Sequence, residues 1–343
     1  MLLLRYSIRT NKSWTPARLG GLLPGNQVGD LQTGYMHHLT VQHRASTGRA
    51  IAMQRLPAEI ADLLRIGNPA WEAARDAFAC LAELAKRTPD TRGPDGERLV
   101  LPLNECRLHA PLTPGKIVAI GRNYPEHVKE DPGSRTPTFI PSAWIKANSA
   151  ITGPRDDIVK PACVRELDYE NELCVVIGRT CRNVGESEAY HYVAGYTIMN
   201  DLSARDIIRL ERREGNLLMG KMFEGFAPLG PWMVSADEIR DPMNLRIRTR
   251  VNGEIRQDGN TRDMIWPIPK LIAYLSQMRL DPGDIISTGT PAGTGLGRRK
   301  GESPWWLHEG DLLESEIEGL GTLSNRIVAD TGPGAQWDWP DKR

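Results

Sequence analysis

The sequence predicts an α+β fold in two unequal parts: a smaller N-terminal α/β domain over residues 1–110 and a larger domain over residues 111–330, with a tail at 331–343. Two observations support this division. Apolar residues recur at helical spacing in the first part. In the second part, short apolar runs end at polar residues or at glycine-rich turns, as buried strands do.

The smaller domain is predicted to combine a hairpin with two helices. Its opening residues alternate in polarity as a strand does, and the glycine-rich stretch 20–26 predicts turns around a short hairpin. Helices are expected from Pro57 to Leu64 and from Pro69 to Lys86. The second helix carries an apolar stripe typical of core or dimer packing, formed by Trp71, Ala74, Phe78, Leu81 and Leu84.

Composition excludes several classes of partner. The 343 residues include 43 basic and 43 acidic side chains, and this zero net charge argues against electrostatic capture of nucleic acid or of an anionic membrane. No run approaches the roughly 18 apolar residues that span a bilayer, and the opening leucines are interrupted by Arg5 before they reach signal-peptide length. Five cysteines without C-x-x-C spacing favour a reducing, cytoplasmic location.

The strongest chemical signal is a group of carboxylates beside apolar runs. Glu170 and Glu172 precede the run 173–177, and residues two apart in a strand point to the same face. Two such carboxylates repel each other unless positive charge lies between them. Asp201 follows a second apolar run and would complete an all-oxygen set suited to a hard divalent cation such as Mg²⁺.

A second signal is a histidine and a glutamate at helical spacing. His127 and Glu130 lie three positions apart, so on a helix they share a face and can form a hydrogen bond. A carboxylate beside an imidazole fixes its tautomer, which suits a general base. The prolines in residues 131–137 end this helix, which is then joined to the rest of the chain by an irregular loop. A short helix on such a loop is predicted to fold over a site as a lid when substrate binds. The alternative is a surface helix without a catalytic role.

In order and spacing, five motifs resemble those of the fumarylacetoacetate hydrolase family, and the resemblance covers about Thr113 to Ala329. The motifs are Gly-Arg-Asn-Tyr at 121–124 followed by His127, Glu-Asn-Glu-Leu at 170–173, Asn-Asp-Leu-Ser-Ala-Arg-Asp at 200–206, Gly-Lys-Met-Phe at 220–223 and Gly-Thr-Pro-Ala-Gly at 289–293. The resemblance implies a mainly β catalytic domain, a mixed β-sandwich roll with few helices, paired as a homodimer.

The resemblance also implies roles for individual residues. The expected ligands of Mg²⁺, or alternatively of Mn²⁺ or Ca²⁺, are Glu170, Glu172 and Asp201. The expected catalytic residues are His127, Glu130 and Lys221. The expected substrate-binding residues are Arg122, Tyr124, Arg205 and Thr290. Arg205 has a second reading, as a salt bridge to Asp206 or Glu172.

Three functions stay open on this sequence. The first is divalent-metal-dependent hydrolysis of a C–C bond in an acylpyruvate or related β-diketo acid, in the catabolism of aromatic or organic acids. The second is lyase or isomerase chemistry through the same metal enolate, such as oxaloacetate decarboxylation or the hydration or isomerisation of a 2-oxo diacid. The third is a non-catalytic structural homologue, against which the intact carboxylates, His127 and Lys221 argue.

Several positions bear on the substrate. Ile208 stands where several relatives carry glutamine and favours a less polar substrate at that end, while Glu224 stands where aspartate is frequent. The basic and aromatic loop 297–307 either lines a pocket for an anionic or aromatic substrate or borders the dimer. The G-x-G-x-G run at Gly293–Gly297 lacks the following apolar helix of a dinucleotide site, so no nucleotide is expected.

Overall fold

The structure is a computed structural model that describes residues 1–11, 13–42, 47–131, 134–297, 305–332, 337 and 339. Its strands are β1 (Leu2–Ile8), β2 (Arg18–Leu23), β3 (Gln27–Asp30), β4 (Val100–Pro102), β5 (Cys106–His109), β6 (Ile117–Gly121), β7 (Ser142–Lys146), β8 (Ile151–Thr152), β9 (Ile158–Lys160), β10 (Leu167–Asp168), β11 (Asn171–Ile177), β12 (Val193–Asn200), β13 (Ser203–Ala204), β14 (Ala227–Ser235), β15 (Arg246–Val251), β16 (Glu254–Asn260), β17 (Ile285–Ser287), β18 (Leu312–Ile317) and β19 (Gly321–Ala329). Its α-helices are α1 (Leu31–His37), α2 (Gly48–Arg55), α3 (Ile60–Ile66), α4 (Asn68–Arg87), α5 (Pro125–Glu130), α6 (Arg205–Arg213), α7 (Met219–Met222) and α8 (Ile268–Leu275).

Most strands join one large mixed sheet. Its order is β4-β3-β2-β1-β14-β12-β11-β17-β6-β7, with β5 also pairing with β1 and β8 with β14. A second sheet has the order β16-β15-β18-β19-β9, and β10 pairs with β13 alone. The predicted α+β fold class with a mainly β catalytic part is confirmed.

The N-terminal elements lie close to their predicted positions. The hairpin joins β2 to β3 through a turn in which Gly25 and Asn26 both have positive φ, 77° and 54°. Helix α4 extends one residue beyond the predicted helix at each end, with Pro69 in its first turn and basic residues in its last. Helix α3 begins at Ile60, three residues later than predicted, because the Glu59 side chain caps it by accepting from the Ala61 amide.

Helix α4 packs on the sheet through small side chains and one leucine. The buried residues of α4 are Ala70, Ala73, Ala74, Ala77, Cys80 and Leu81. Leu81 contacts the chain at Gly34, where an added Cβ would lie 2.6 Å from its Cδ1 atom. Gly34 belongs to α1, and Leu81 Cδ1 also lies 3.0 Å from an added Cβ at Gly29 in β3, so α4 packs closely against both α1 and the sheet.

Strands from both sides of residue 110 belong to the same sheet. Leu3 in β1 lies opposite Met233 in β14, and one hydrophobic cluster includes buried residues of both regions. The predicted boundary near residue 110 is thus crossed by continuous strand pairing, and the two-domain division stays a prediction. Of the predicted tail, the structure describes only residues 331, 332, 337 and 339.

Strand β11 lies at the centre of the large sheet and is buried on both faces. Leu173, Val175 and Ile177 point into one hydrophobic cluster, whereas Cys174 and Val176 point into another. Because β11 and β12 are antiparallel, the first residue of β11 lies beside the last residue of β12, with Asn171 opposite Asn200. Within the described ranges, no helix is long and apolar enough to cross a membrane.

Candidate active site

Three carboxylates meet where β11 begins and β12 ends. Glu172 is in β11, Glu170 lies just before that strand, and Asp201 lies just after β12. The Asp201 amide donates to the Glu170 carbonyl at 2.7 Å, which joins the two segments. One oxygen of each carboxylate lies within 4.8 Å of the others, and all three side chains are buried. The structure therefore brings together the three residues predicted as metal ligands.

Two lysines neutralise part of this negative charge. The Lys221 Nζ atom lies 2.6 Å from Glu170 Oε2 and 2.6 Å from Asp201 Oδ2. Burial opposes the charge on Lys221, but Asp201 and Glu170 raise its pKa. Lys146 Nζ lies 2.8 Å from Asp201 Oδ1 and also donates to the Lys221 carbonyl. Burial lowers the pKa of Lys146, and the charge on Lys221 acts in the same direction.

Lys146 is not among the predicted site residues, although strand periodicity contains a signal for it. It lies in β7 at the same alternation as Ser142 and Trp144, and both of those residues line the cavity described below. The Lys221 ammonium also lies 5.2 Å from the centre of a Trp144 ring. One face of β7 thus contributes a cation and an aromatic wall to the site.

Arg205 makes two buried ion pairs that differ from those predicted. Its Nε atom lies 2.7 Å from Asp168 Oδ2, and a terminal nitrogen lies 2.5 Å from Glu170 Oε1. The local partners expected from sequence were Asp206 and Glu172. The actual pairing follows from the two-stranded sheet, because β13 immediately precedes Arg205 and pairs with β10, which contains Asp168.

Glu172 differs from the other two carboxylates because it makes no ion pair with any residue that the structure describes. It accepts hydrogen bonds from the Ser287 hydroxyl at 2.5 Å and the Gly289 amide at 3.0 Å. Burial, and then the charges of Asp201 and Glu170, hold the pKa of Glu172 well above its usual value. Burial acts in the same direction on Glu170, but Lys221 and Arg205 overcome it and lower the pKa of that carboxyl.

This donor set fits a hard divalent cation. Asp201 Oδ1 is near Lys146 but has no well-aligned hydrogen-bond donor among the described residues. The cluster contains four buried carboxylates and three buried cations. The carboxylates are those of Asp168, Glu170, Glu172 and Asp201, and the cations are Lys146, Lys221 and Arg205. Oxygen ligands with unbalanced negative charge are what Mg²⁺ and Mn²⁺ require, so Glu170, Glu172 and Asp201 would hold such an ion.

The predicted lid helix α5 places its histidine over the cluster. His127 Nδ1 lies 2.8 Å from Glu130 Oε2, as expected for residues that share a helix face. Because Nδ1 donates to this carboxylate, Nε2 is the nitrogen with a free lone pair. That Nε2 atom lies 3.9 Å from Glu170 Oε1, on the side facing the carboxylates.

A cavity of about 380 Å³ opens above the carboxylates. Arg122 lines it and donates to the Ser142 hydroxyl at 3.1 Å and the Arg135 carbonyl at 3.4 Å. No carboxylate among the described residues pairs with this guanidinium. The φ of Arg122 is 57°, a left-handed conformation that non-glycine residues adopt rarely.

Ile208 also lines the cavity and packs tightly against the Gly-Lys-Met-Phe motif. A Cβ at Gly220 would lie 2.4 Å from Ile208 Cγ1, so glycine is needed for α7 to approach α6 this closely. The Ile208 side chain therefore provides an apolar patch on the cavity wall, at the position where several relatives are expected to carry a glutamine side chain.

Two predicted substrate-binding residues have contacts that limit their roles. Thr290 lines the cavity, but its hydroxyl donates to the Asn171 carbonyl at 2.9 Å and accepts from Gln257 at 2.8 Å. Its hydroxyl proton is therefore directed away from a substrate in this conformation. Tyr124 does not line the cavity; it is buried in the hydrophobic core beside Val118 and Ile120.

Two further sequence features lie away from the site. Glu224 lines a separate cavity beside Phe223. In the predicted basic and aromatic loop, residues 298–304 lie outside the described part of the chain. The described end of that loop places Trp305 against Arg256, with the guanidinium 4.3 Å from a ring centre.

The family model for the C-terminal region of fumarylacetoacetate (FAA) hydrolase matches residues 116–328. The chain belongs to the fumarylacetoacetate hydrolase family. This match confirms the resemblance carried by the five motifs, and it covers the carboxylate cluster, the lid helix and the segment Gly293–Gly297.

Relatives within this family are enzymes. The human mitochondrial oxaloacetate tautomerase FAHD2A is 39% identical over 277 residues, covering 80% of this chain and 81% of the relative. The oxaloacetate tautomerase YisK of Bacillus subtilis strain 168 is 39% identical over 280 residues, covering 80% of this chain and 88% of the relative. A structure of maleylpyruvate hydrolase from Sphingobium sp. SYK-6 with manganese(II) and pyruvate matches with a TM-score of 0.66 and 28% identity, covering 96% of this chain and 100% of that chain.

The unequal environments of Glu172 and Asp201 predict opposite effects on the metal-free protein. Glu172→Gln replaces a buried carboxyl that lacks a cationic partner with a neutral amide of the same shape, so we expect its thermal stability in EDTA to equal or exceed that of the wild type. Asp201→Asn leaves Lys146 and Lys221 short of a buried partner and should cost about 3–5 kcal/mol. Both variants should lose the rise in melting temperature that Mg²⁺ gives the wild type. Equal destabilisation by both would contradict the assigned charge balance.

Proposed function

We propose that this chain is a divalent-cation-dependent enzyme that interconverts the keto and enol forms of oxaloacetate or of a closely similar 2-oxo diacid. The observation that carries the proposal is the position of His127 Nε2, which lies 3.9 Å from Glu170 Oε1 in a cavity that His127 lines together with Glu170 and Lys221. A base opposite a stabilised oxyanion is the minimum that enolisation requires. The two tautomerases that share 39% identity over 80% of this chain support the same reaction.

This proposal favours the second of the functions predicted from sequence over the first. Hydrolysis of an acylpyruvate C–C bond needs a water aimed at a carbonyl carbon in addition to the enolate-stabilising groups. Tautomerisation uses the same groups without that water. Hydrolysis stays the second candidate, because His127 and Glu130 are also placed to activate water and the similar maleylpyruvate hydrolase is named for that reaction.

The charges around the cavity suit a small dianion. Arg122 presents a guanidinium whose described partners are neutral oxygens, so it can pair with the distal carboxylate of a diacid. Lys221 also lines the cavity, within the carboxylate cluster. A cavity of about 380 Å³ accommodates a four-carbon diacid and leaves room for a somewhat longer one.

Enolisation needs one proton removed from carbon and one delivered to oxygen. In the keto-to-enol direction, His127 Nε2 takes a proton from the carbon between the carbonyl and the distal carboxylate. Its Nδ1 atom donates to Glu130, which stabilises the imidazolium that forms. Negative charge develops on the carbonyl oxygen, where the Lys221 ammonium stabilises it. A solvent proton then completes the enol, while the imidazolium releases its proton to solvent and the base is restored; the reverse order of steps restores the ketone.

When bound by Glu170, Glu172 and Asp201, a divalent cation would supply Lewis-acid stabilisation of the same developing charge. The residues of the chain exclude bulk water from this region, because the three carboxylates and both lysines are almost completely buried. Electrostatic interactions are stronger in such an environment than in solvent.

The proposed reaction is tested by product analysis with Mg²⁺-loaded protein. We expect the enol of oxaloacetate to be consumed faster than in buffer alone, followed by ultraviolet absorbance, without release of pyruvate or carbon dioxide. Acetylpyruvate and fumarylpyruvate are assayed in parallel. Pyruvate plus a second acid from either, with the enol untouched, would establish the hydrolase instead. Carbon dioxide from oxaloacetate would establish a decarboxylase.

The role of His127 is tested by His127→Gln. We expect kcat for tautomerisation to fall by about 10²–10⁴-fold, the usual contribution of a general base, while Mg²⁺ still raises the melting temperature. His191→Gln is the matched control, because His191 pairs with Glu188 at 2.9 Å with the same spacing but on the surface. A His127→Gln enzyme with normal kcat would show that another group carries the proton.

The role of Arg122 is tested by Arg122→Gln. Losing a hydrogen-bonded charge partner for the distal carboxylate should raise KM for oxaloacetate by about 10–100-fold, since such a contact contributes roughly 1.5–3 kcal/mol. We expect kcat to change much less, because Arg122 does not take part in proton transfer. Arg155→Gln, an exposed arginine outside the cavity, is the control. An unchanged KM would place the distal carboxylate elsewhere.

A further inference from the structure

The segment Gly293–Gly297, whose glycine pattern resembles a nucleotide fingerprint without being one, contacts the lid helix directly. The Gly293 amide donates to Glu130 Oε1 at 2.6 Å, and the Thr294 hydroxyl donates to Glu130 Oε2 at 3.0 Å. Glu130 Oε2 also accepts from His127 at 2.8 Å. Both oxygens of the Glu130 carboxylate are therefore occupied, which fixes its orientation behind the histidine.

The spacing of the glycines follows from these contacts. A Cβ at Gly297 would lie 1.9 Å from Glu130 Oε1, so a side chain there would displace the carboxylate. Gly293 has a φ of 100°, and its Cβ would lie 2.1 Å from the Arg256 carbonyl oxygen. Glycine at these two positions permits the backbone to approach Glu130 on one side and Arg256 on the other.

The middle glycine, Gly295, forms a hydrogen bond with a second carboxylate, that of Asp168. The Gly295 amide donates to Asp168 Oδ1 at 2.6 Å, and a Cβ at Gly295 would lie 2.7 Å from that oxygen. Asp168 is the partner of Arg205, which in turn pairs with Glu170. The segment thus joins the lid helix to the carboxylate cluster by way of two acidic side chains.

Resting on the proposed function, we infer that Thr294 and Gly297 are positioning residues, which hold the Glu130 carboxylate so that His127 Nε2 faces the substrate. Helix α5 has six residues; Val128 is its buried residue, and the Asp131–Arg212 ion pair lies just beyond it. Those contacts hold the helix as a whole. Thr294, which is fully buried, and Gly297 instead contact the Glu130 side chain itself. The Thr294 hydroxyl donates to the carboxylate, and the absence of a side chain at Gly297 leaves room for it.

Two substitutions remove the positioning contacts in different ways. Thr294→Val keeps the shape but removes the donor, and Gly297→Ala introduces a methyl group where Glu130 Oε1 lies. We expect each to lower kcat by about 10-fold or more, the effect usual for groups that orient a catalytic side chain. KM and the Mg²⁺-dependent rise in melting temperature should stay close to the wild type. Thr294→Ser keeps the donor and should restore kcat to within about threefold.

A second measurement does not depend on turnover. Hydrogen exchange of the peptide 125–131 should accelerate in Thr294→Val and Gly297→Ala, but not in Thr294→Ser. The matched control is Gly185→Ala, where the nearest atom to an added Cβ is 3.9 Å away. If the wild type lacks tautomerase activity but lid exchange changes as expected, the proposed function fails and the positioning role stands. Unchanged exchange together with unchanged kcat in both variants would overturn the inference.

Discussion

The Lys221 ammonium lies between Glu170 and Asp201 and offsets the cost of burying these carboxylates side by side. Buried carboxylates repel one another and lose hydration, so without a cation between them the start of β11 and the end of β12 could not lie side by side. Lys146 compensates the charge of Asp201 in the same way, and Arg205 compensates that of Glu170. Glu172 has no cationic partner among the described residues, and this incomplete compensation suits the cluster to a divalent cation.

The scaffold delivers these groups from segments far apart in the chain. Pairing of β11 with β12 sets the carboxylates, β7 brings Lys146, and the short pair of β10 with β13 orients Arg205. Only His127 and Glu130 come from a local element, and they are held by the glycine segment that also binds Asp168. The large sheet therefore carries most of the charge cluster, whereas His127 and Glu130 lie on a short helix held through side-chain contacts.

Period-two alternation placed Glu170 and Glu172 on one face, and the family resemblance made them, with Asp201, the expected ligand set; helical spacing predicted α4 to within one residue at each end. Other features depended on long-range pairing that no local pattern contains. The partners of Arg205 follow from β10 and β13, which are two residues long and carry no periodic signal. Alternation in β7 could have placed Lys146 on the same face as Ser142 and Trp144, but its burial depends on the ion pair with Asp201, which no local pattern contains.

The strand pairing between β1 and β14 has a consequence for protein engineering. The family match begins at residue 116, which invites expression of that region alone. Such a fragment would lose the partner of Met233 and Val234 in β14 and would uncover those of its own residues that share a hydrophobic cluster with the N-terminal elements. An unpaired, apolar sheet edge is a template for association with other chains, so the truncated protein would be prone to aggregate through that edge even with every catalytic residue intact.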